Sequence, residues 1–167
     1  MLARLAALLA LGVAVSAFAA KELKSWAGGP PPPLELKDLS GKLHRLADYR
    51  GQTVLINFWA TWCEPCRDEM PSIQQLKRKL ADKPFVVLAV NVAESENRIH
   101  EFLRKMPLDF TILHDRNSEA LKAWRVRGLP ASFVVAPDGT VRYSQIGEFE
   151  WSDEAVVQRM TDLMRLK

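Results

Sequence analysis

Trp62-Cys63-Glu64-Pro65-Cys66 holds both cysteines of this 167-residue chain. Two thiols at that spacing can exchange with an external disulfide and then close on each other. Just upstream, Thr53-Val54-Leu55-Ile56-Asn57-Phe58 is a continuous apolar run, predicted as a strand buried on both faces. Just downstream, Met70, Ile73, Leu76 and Leu80 are spaced for one apolar helix face. The cysteines therefore fall where a central strand passes into a helix. Cys63 is expected at the exposed helix start, where unpaired N–H groups and the positive dipole end stabilise a thiolate. Cys66 lies one turn further in, close enough to close a short disulfide. Pro65 suits the first turn, where its missing N–H costs nothing. A Cys-x-x-Cys at a strand-to-helix junction in an α/β pattern points to redox chemistry.

Two other uses of the pair stand beside it. Half of a zinc site is one, but structural zinc takes four ligands, and His44, His100 and His114 are scattered singly with no second cysteine pair. A purely structural bridge is the other, although so small a loop restricts the unfolded chain little.

The elements that must position the pair fit one domain of ordinary globular composition, 48% hydrophobic, with a net charge of +3. Lysine and arginine form no stripe, so nothing suggests a nucleic-acid partner. Residues 1–20 stand apart. Arg4 is followed by an apolar run over residues 5–15 and then Ser16-Ala17-Phe18-Ala19-Ala20. That pattern fits a secretory signal peptide over residues 1–19, cut after Ala19. An uncleaved anchor is the alternative, though the run is short of the about 20 residues a spanning helix needs. Residues 20–33, ending in Pro30-Pro31-Pro32-Pro33, read as a stiff proline-rich linker that could tether the domain to a membrane. The folded domain is placed at residues 34–167.

Within it, Leu34-Glu35-Leu36 and Leu43-His44-Arg45-Leu46 flank a turn at Asp38-Leu39-Ser40-Gly41, predicted as a hairpin. Residues 85–92 form a second buried strand. Ser95 caps a helix whose apolar face is Ile99, Phe102, Leu103 and Met106. Residues 110–113 are a short strand and residues 118–124 a short helix. Ala131-Ser132-Phe133-Val134-Val135 is a strand that turns at Pro137-Asp138-Gly139 and pairs back antiparallel. A last helix opens at Ser152 and turns Val156, Met160 and Leu163 inward. A hairpin, then alternating strands and helices, then antiparallel strands and a helix make an α/β sandwich around a mixed sheet.

The stretch Asn57-Phe58-Trp59-Ala60-Thr61-Trp62-Cys63-Glu64-Pro65-Cys66, with Glu69, Pro71 and Gly128-Leu129-Pro130-Ala131-Ser132-Phe133, resembles the thioredoxin superfamily. The likeness is closer to its exported bacterial TlpA/ResA/CcmG-type thiol–disulfide oxidoreductases, and the N-terminal hairpin belongs to it. The resemblance implies a thioredoxin-like fold, no cofactor, no metal and a periplasmic location. It implies Cys63 as attacking nucleophile, Cys66 as resolving thiol and Pro130 as the family's cis-proline, with the Leu129 backbone pairing to an extended substrate. An ordinary turn before a strand is the plain alternative for Pro130. Trp59 is expected in the core and Trp62 on the substrate surface. Cytosolic relatives place an aspartate where this chain has Asn57, which cannot titrate. Glu69, on the helix of Cys66, could take over the proton handling, or could be a solvated carboxylate. The implied partners are a protein disulfide, such as that of apocytochrome c during cytochrome c maturation, and a membrane thiol reductase as electron donor. A disulfide-forming oxidant and a non-enzymatic copper chaperone on the same fold are the competing functions. The chaperone is disfavoured by its usual three-residue cysteine spacing and remote histidine, and a peroxidase by the Cys-x-x-Cys itself.

Overall fold

The computed structural model describes residues 22–165; the expected signal peptide or anchor over residues 1–19 lies outside them. Its six-stranded sheet runs in the order β1-β8-β7-β4-β5-β6, with a separate two-stranded hairpin, β2-β3. The centre is β4, Thr53–Trp59, whose seven residues are all buried. It pairs in parallel with β5, Phe85–Val92, and antiparallel with β7, Ala131–Val135. Beyond them lie β6, Thr111–Asp115, parallel to β5, and β8, Val141–Ile146, antiparallel to β7. The expected mixed sheet with helices on its faces is the architecture found.

Side chains alternate across a strand, and β4 uses both parities. Val54, Ile56 and Phe58 pack with Leu34, Trp124, Val126 and Phe133 on one face. Leu55 faces the other way, against Ile73 and Leu76 of α1, Glu64–Lys79, and Met160 and Leu163 of α4, Glu154–Leu163. Asn57 shares the parity of Leu55, so it is directed at α1. Lys77, Arg78 and Lys79 close α1 with positive charge at the negative dipole end. The predicted cap of α2, Glu96–Lys105, is present, Ser95 accepting from the Arg98 amide. The cap of α3, Glu119–Ala123, comes instead from Asp115, which accepts from the amides of Glu119, Ala120 and Leu121.

The hairpin forms from β2, Glu35–Lys37, and β3, Leu43–Arg45. Buried His44 lies between Asp38 Oδ2 at 2.8 Å and the Tyr49 hydroxyl at 2.5 Å. The Ser40 hydroxyl and His44 together hold the Asp38 carboxyl well below the usual carboxylate range.

The linker expectation needs one correction. Lys24–Ser25 is a strand, β1, paired antiparallel with Ser144 and Tyr143 of β8, so this part of residues 20–33 belongs to the domain. Leu23 is buried against the α1–α4 side, and the Trp26 ring meets Phe133 edge-on at 5.5 Å. Covering an otherwise open sheet edge and burying apolar surface outweigh the entropy of a free spacer. Among the described residues no helix is long and apolar enough to cross a membrane.

Candidate active site

Cys63 is the N-cap of α1 and is bonded to Cys66 through a disulfide with S–S 2.05 Å and Cα–Cα 5.3 Å. Pro65 stands in the first turn, as expected. A helix start leaves its first amides without intrahelical partners, and the Glu64 and Cys66 amides fall there beside the Cys63 side chain. Glu64 is exposed on this rim. Arg67, half-buried, turns back to donate Nη1 to the Thr61 carbonyl at 3.3 Å.

The exposed Cys63 of the sequence reading is corrected. In the bridged form Cys63 is 5% exposed and Cys66 is fully buried, because both sulfurs join an apolar cluster with Trp59, Ala60, Met70 and Ile99. Access still favours Cys63, by a narrow margin. Trp59 is a core residue, as expected. Trp62, next to Cys63 in the chain, is 62% exposed, and Ile146 on β8 is 55% exposed. Ile146 sits opposite Ala131, the residue after Pro130, and the Gly147 amide donates to the Pro130 carbonyl at 2.8 Å. The Leu129–Pro130 peptide is cis, and Leu129 is half-buried against the cluster that holds the cysteines.

Glu69 lies three residues beyond Cys66 and is 2% exposed. The solvated-surface alternative is therefore excluded. Its Oε1 accepts from Asn57 Nδ2 at 2.7 Å. Its Oε2 accepts from the Phe149 amide at 3.1 Å and from Trp151 Nε1 at 3.3 Å. Loss of hydration outweighs these three donors and pushes the Glu69 carboxyl up from 4.5 to about 7. Asn57 Nδ2 also donates to Ser132 Oγ at 2.9 Å, and Ser132 lies opposite Gln145. A buried polar row thus crosses β8, β7 and β4 and ends on Glu69. Ser72 fastens the same loop by accepting from the Trp151 amide at 3.1 Å.

Glu94 had no signal in the sequence. Its buried carboxylate accepts from the Thr61 amide at 2.6 Å and hydroxyl at 2.5 Å, from Asn91 Nδ2 at 2.8 Å, and pairs with Arg98 Nε at 3.0 Å. It thereby fixes the turn that delivers the chain to Cys63. Glu94→Ala strands several buried donors and is expected to cost about 3–5 kcal/mol of stability in denaturant unfolding. A loss below about 1 kcal/mol would show that water replaces the carboxylate.

What the arrangement can do is cycle between dithiol and disulfide at a helix start, beside an apolar surface and a buried carboxyl that titrates near neutrality. Residues 27–144 match the AhpC/TSA family. The thiol-disulfide oxidoreductase ResA of Geobacillus thermodenitrificans is 40% identical over 115 residues, which cover 69% of this chain and 66% of that protein. ResA of Bacillus subtilis is 36% identical over 134 residues, covering 79% of this chain and 74% of that protein. A Chlorobium tepidum crystal structure described as the thiol:disulfide interchange protein DsbE superposes with a TM-score of 0.74 at 28% identity, covering 87% of this chain and 99% of that one. The fold is thioredoxin-like, and the chain belongs to the AhpC/TSA family, among its ResA-type thiol–disulfide oxidoreductases.

Proposed function

We propose that this protein is an exported dithiol reductase that delivers two electrons to disulfides of partner proteins, with apocytochrome c during cytochrome c maturation as the leading substrate. The observation that carries the reading is the Cys63–Cys66 bridge at the start of α1, with exposed Trp62 beside Cys63 in the chain and exposed Ile146 opposite Ala131, the residue after Pro130. In the reduced form the Cys63 thiolate attacks one sulfur of the substrate disulfide. A Cys63–substrate bond forms and the other substrate sulfur leaves as a thiolate. Cys66 gives up its proton and attacks Cys63 Sγ, which releases the second substrate sulfur and restores the internal bridge. Trp62, Ile146 and the backbone of Leu129 beside Pro130 form the surface that holds the substrate segment. A membrane thiol reductase then returns two electrons to the bridge.

In this reading Glu69 takes and returns the Cys66 proton; its burial three residues further along α1 and its carboxyl pushed up to about 7 support the role. The cytochrome c assignment rests on the ResA-type resemblance, and the export assignment on the composition of residues 1–20. Insulin reduction by dithiothreitol should be strongly accelerated by catalytic amounts of the protein. A rate equal to the uncatalysed one would remove the reductase reading.

A further inference from the structure

Beside the disulfide, on the side of α2, runs a groove of about 660 Å³ between the start of α1 and the α2 surface. Thr61 and Arg67 form the wall nearest the cysteines, and Phe102 and Met106 supply apolar lining. Phe102 is held in place by its ring contact with buried Trp59 at 5.2 Å. The rest of the lining is polar: Asn97, Arg98, Glu101 and Lys105. Arg67 donates to the neutral Thr61 carbonyl, which cancels none of its charge. Arg98 donates to Thr61 Oγ1 at 3.1 Å and pairs with buried Glu94, yet its side chain remains 60% exposed. Lys105 is 75% exposed and pairs at 3.1 Å with Glu101, an exposed carboxylate of the same lining, so water screens the pair. The lining thus carries three cations against one carboxylate, Glu101, around apolar Phe102 and Met106, and it begins two residues before the nucleophilic cysteine.

We infer that this groove is the docking surface for a segment of the protein substrate that carries carboxylates and an apolar side chain next to its disulfide. The inference rests on the reductase reading and adds the substrate's chemistry to it. Charge complementarity selects the occupant, because a lysine-rich segment would meet Arg67, Arg98 and Lys105 as like charges. Continuity with the site selects its position. A chain whose cysteine reaches Cys63 past Trp62 lays the residues on one side of that cysteine along Leu129 and Ile146, and those on its other side meet the groove at Thr61 and Arg67. Contacts of this kind act mainly on encounter and are lost at high ionic strength.

The test uses the reduced full chain and two disulfide-linked peptides that differ only in flanking residues, Asp and Leu in one, Lys and Leu in the other. Neutral hydroxyethyl disulfide is the third substrate. The acidic peptide should be reduced with a kcat/KM about tenfold above the basic one at low salt, and the preference should shrink towards unity near 0.5 M salt. Lys105→Glu should lower the ratio of acidic to basic peptide by about fivefold or more. Lys42→Glu, the same charge change on the β2-β3 turn, should leave that ratio unaltered. Equal rates for the two peptides, or a preference that survives Lys105→Glu, would overturn the groove assignment. Failure to reduce any of the three disulfides would instead overturn the reductase reading.

Discussion

Cys63→Ala should abolish protein-disulfide reduction, while Cys66→Ala should complete the first exchange and stop there. The first variant lacks the attacking sulfur, so insulin reduction should fall by on the order of 10³-fold or more, to the uncatalysed background. The second retains Cys63 at the helix start, where the Glu64 and Cys66-position amides still favour its thiolate. Without a resolving thiol, the Cys63–substrate bond persists and should be recovered as a mixed disulfide on non-reducing gels. The two positions differ in access by little, 5% against none, so steric reach alone would not enforce this division. The helix terminus does, because it acts on the N-cap sulfur and not on one a turn deeper. Equal trapping by the two variants would contradict the assignment.

Glu69 should make the stability of the bridged protein fall as pH rises between about 4.5 and about 7. In that window the folded state holds a proton on this carboxyl that the unfolded chain has already lost. Stability is therefore fully present below the unfolded value and is lost progressively as pH climbs through the folded one. A displacement of that size, at ~1.36 kcal/mol per pH unit, amounts to about 3 kcal/mol. Glu69→Gln should remove this slope. The variant has its own cost, because one end of the amide is a donor and must face Asn57 Nδ2, the Phe149 amide or Trp151 Nε1, all of which are donors. That mismatch of about 1–3 kcal/mol should be present at every pH. Chemical denaturation of both proteins at pH 4.5 and pH 8 separates the two effects. Parallel profiles for wild type and variant would show that Glu69 is ionised throughout. In the reduced protein, the same substitution should shift the pH dependence of thiol alkylation.

The redox pair was legible because its chemistry is carried by residue type and by a spacing within one helical turn. The strand before it was legible for a similar reason, since β4 is buried on both faces and its composition says so. The Asn57–Glu69 contact was within reach of parity: Asn57 shares the side of Leu55, and Glu69 lies on the helix that must cover that side. The rest of the polar site is assembled from far apart in the chain. The Phe149 amide and Trp151 Nε1 reach Glu69 across 80 and 82 positions, by a loop path that no periodicity encodes. Glu94 reaches Thr61 across 33 positions, from a loop where Ala93 takes a left-handed conformation at φ 58° that its residue type does not advertise. Strand β1 was missed because two polar residues carry no alternation; its place is set by the free edge of β8 and by burial of its neighbour Leu23. The depth of Cys63 comes from its place in an apolar cluster with Trp59, Ala60, Met70 and Ile99, which are contributed by β4, the turn after it, α1 and α2.

The direction of electron flow is the central claim, and the electrostatics around Cys63 favour a reductant. Strong oxidants of this chemistry owe their potential to a greatly stabilised thiolate in the reduced form. Here Glu64, exposed and adjacent to Cys63, disfavours that thiolate. Arg67 is drawn towards the Thr61 carbonyl and its groove, and no histidine lies between the cysteines. The helix-start amides are then the main support of that thiolate, opposed by Glu64. Equilibrating the protein in dithiothreitol or glutathione buffers and quantifying the Cys63–Cys66 bridge measures the potential directly. The account predicts a value near thioredoxin's, about −270 mV, whereas a value above roughly −150 mV, towards the about −120 mV of a strong periplasmic oxidant, would contradict it.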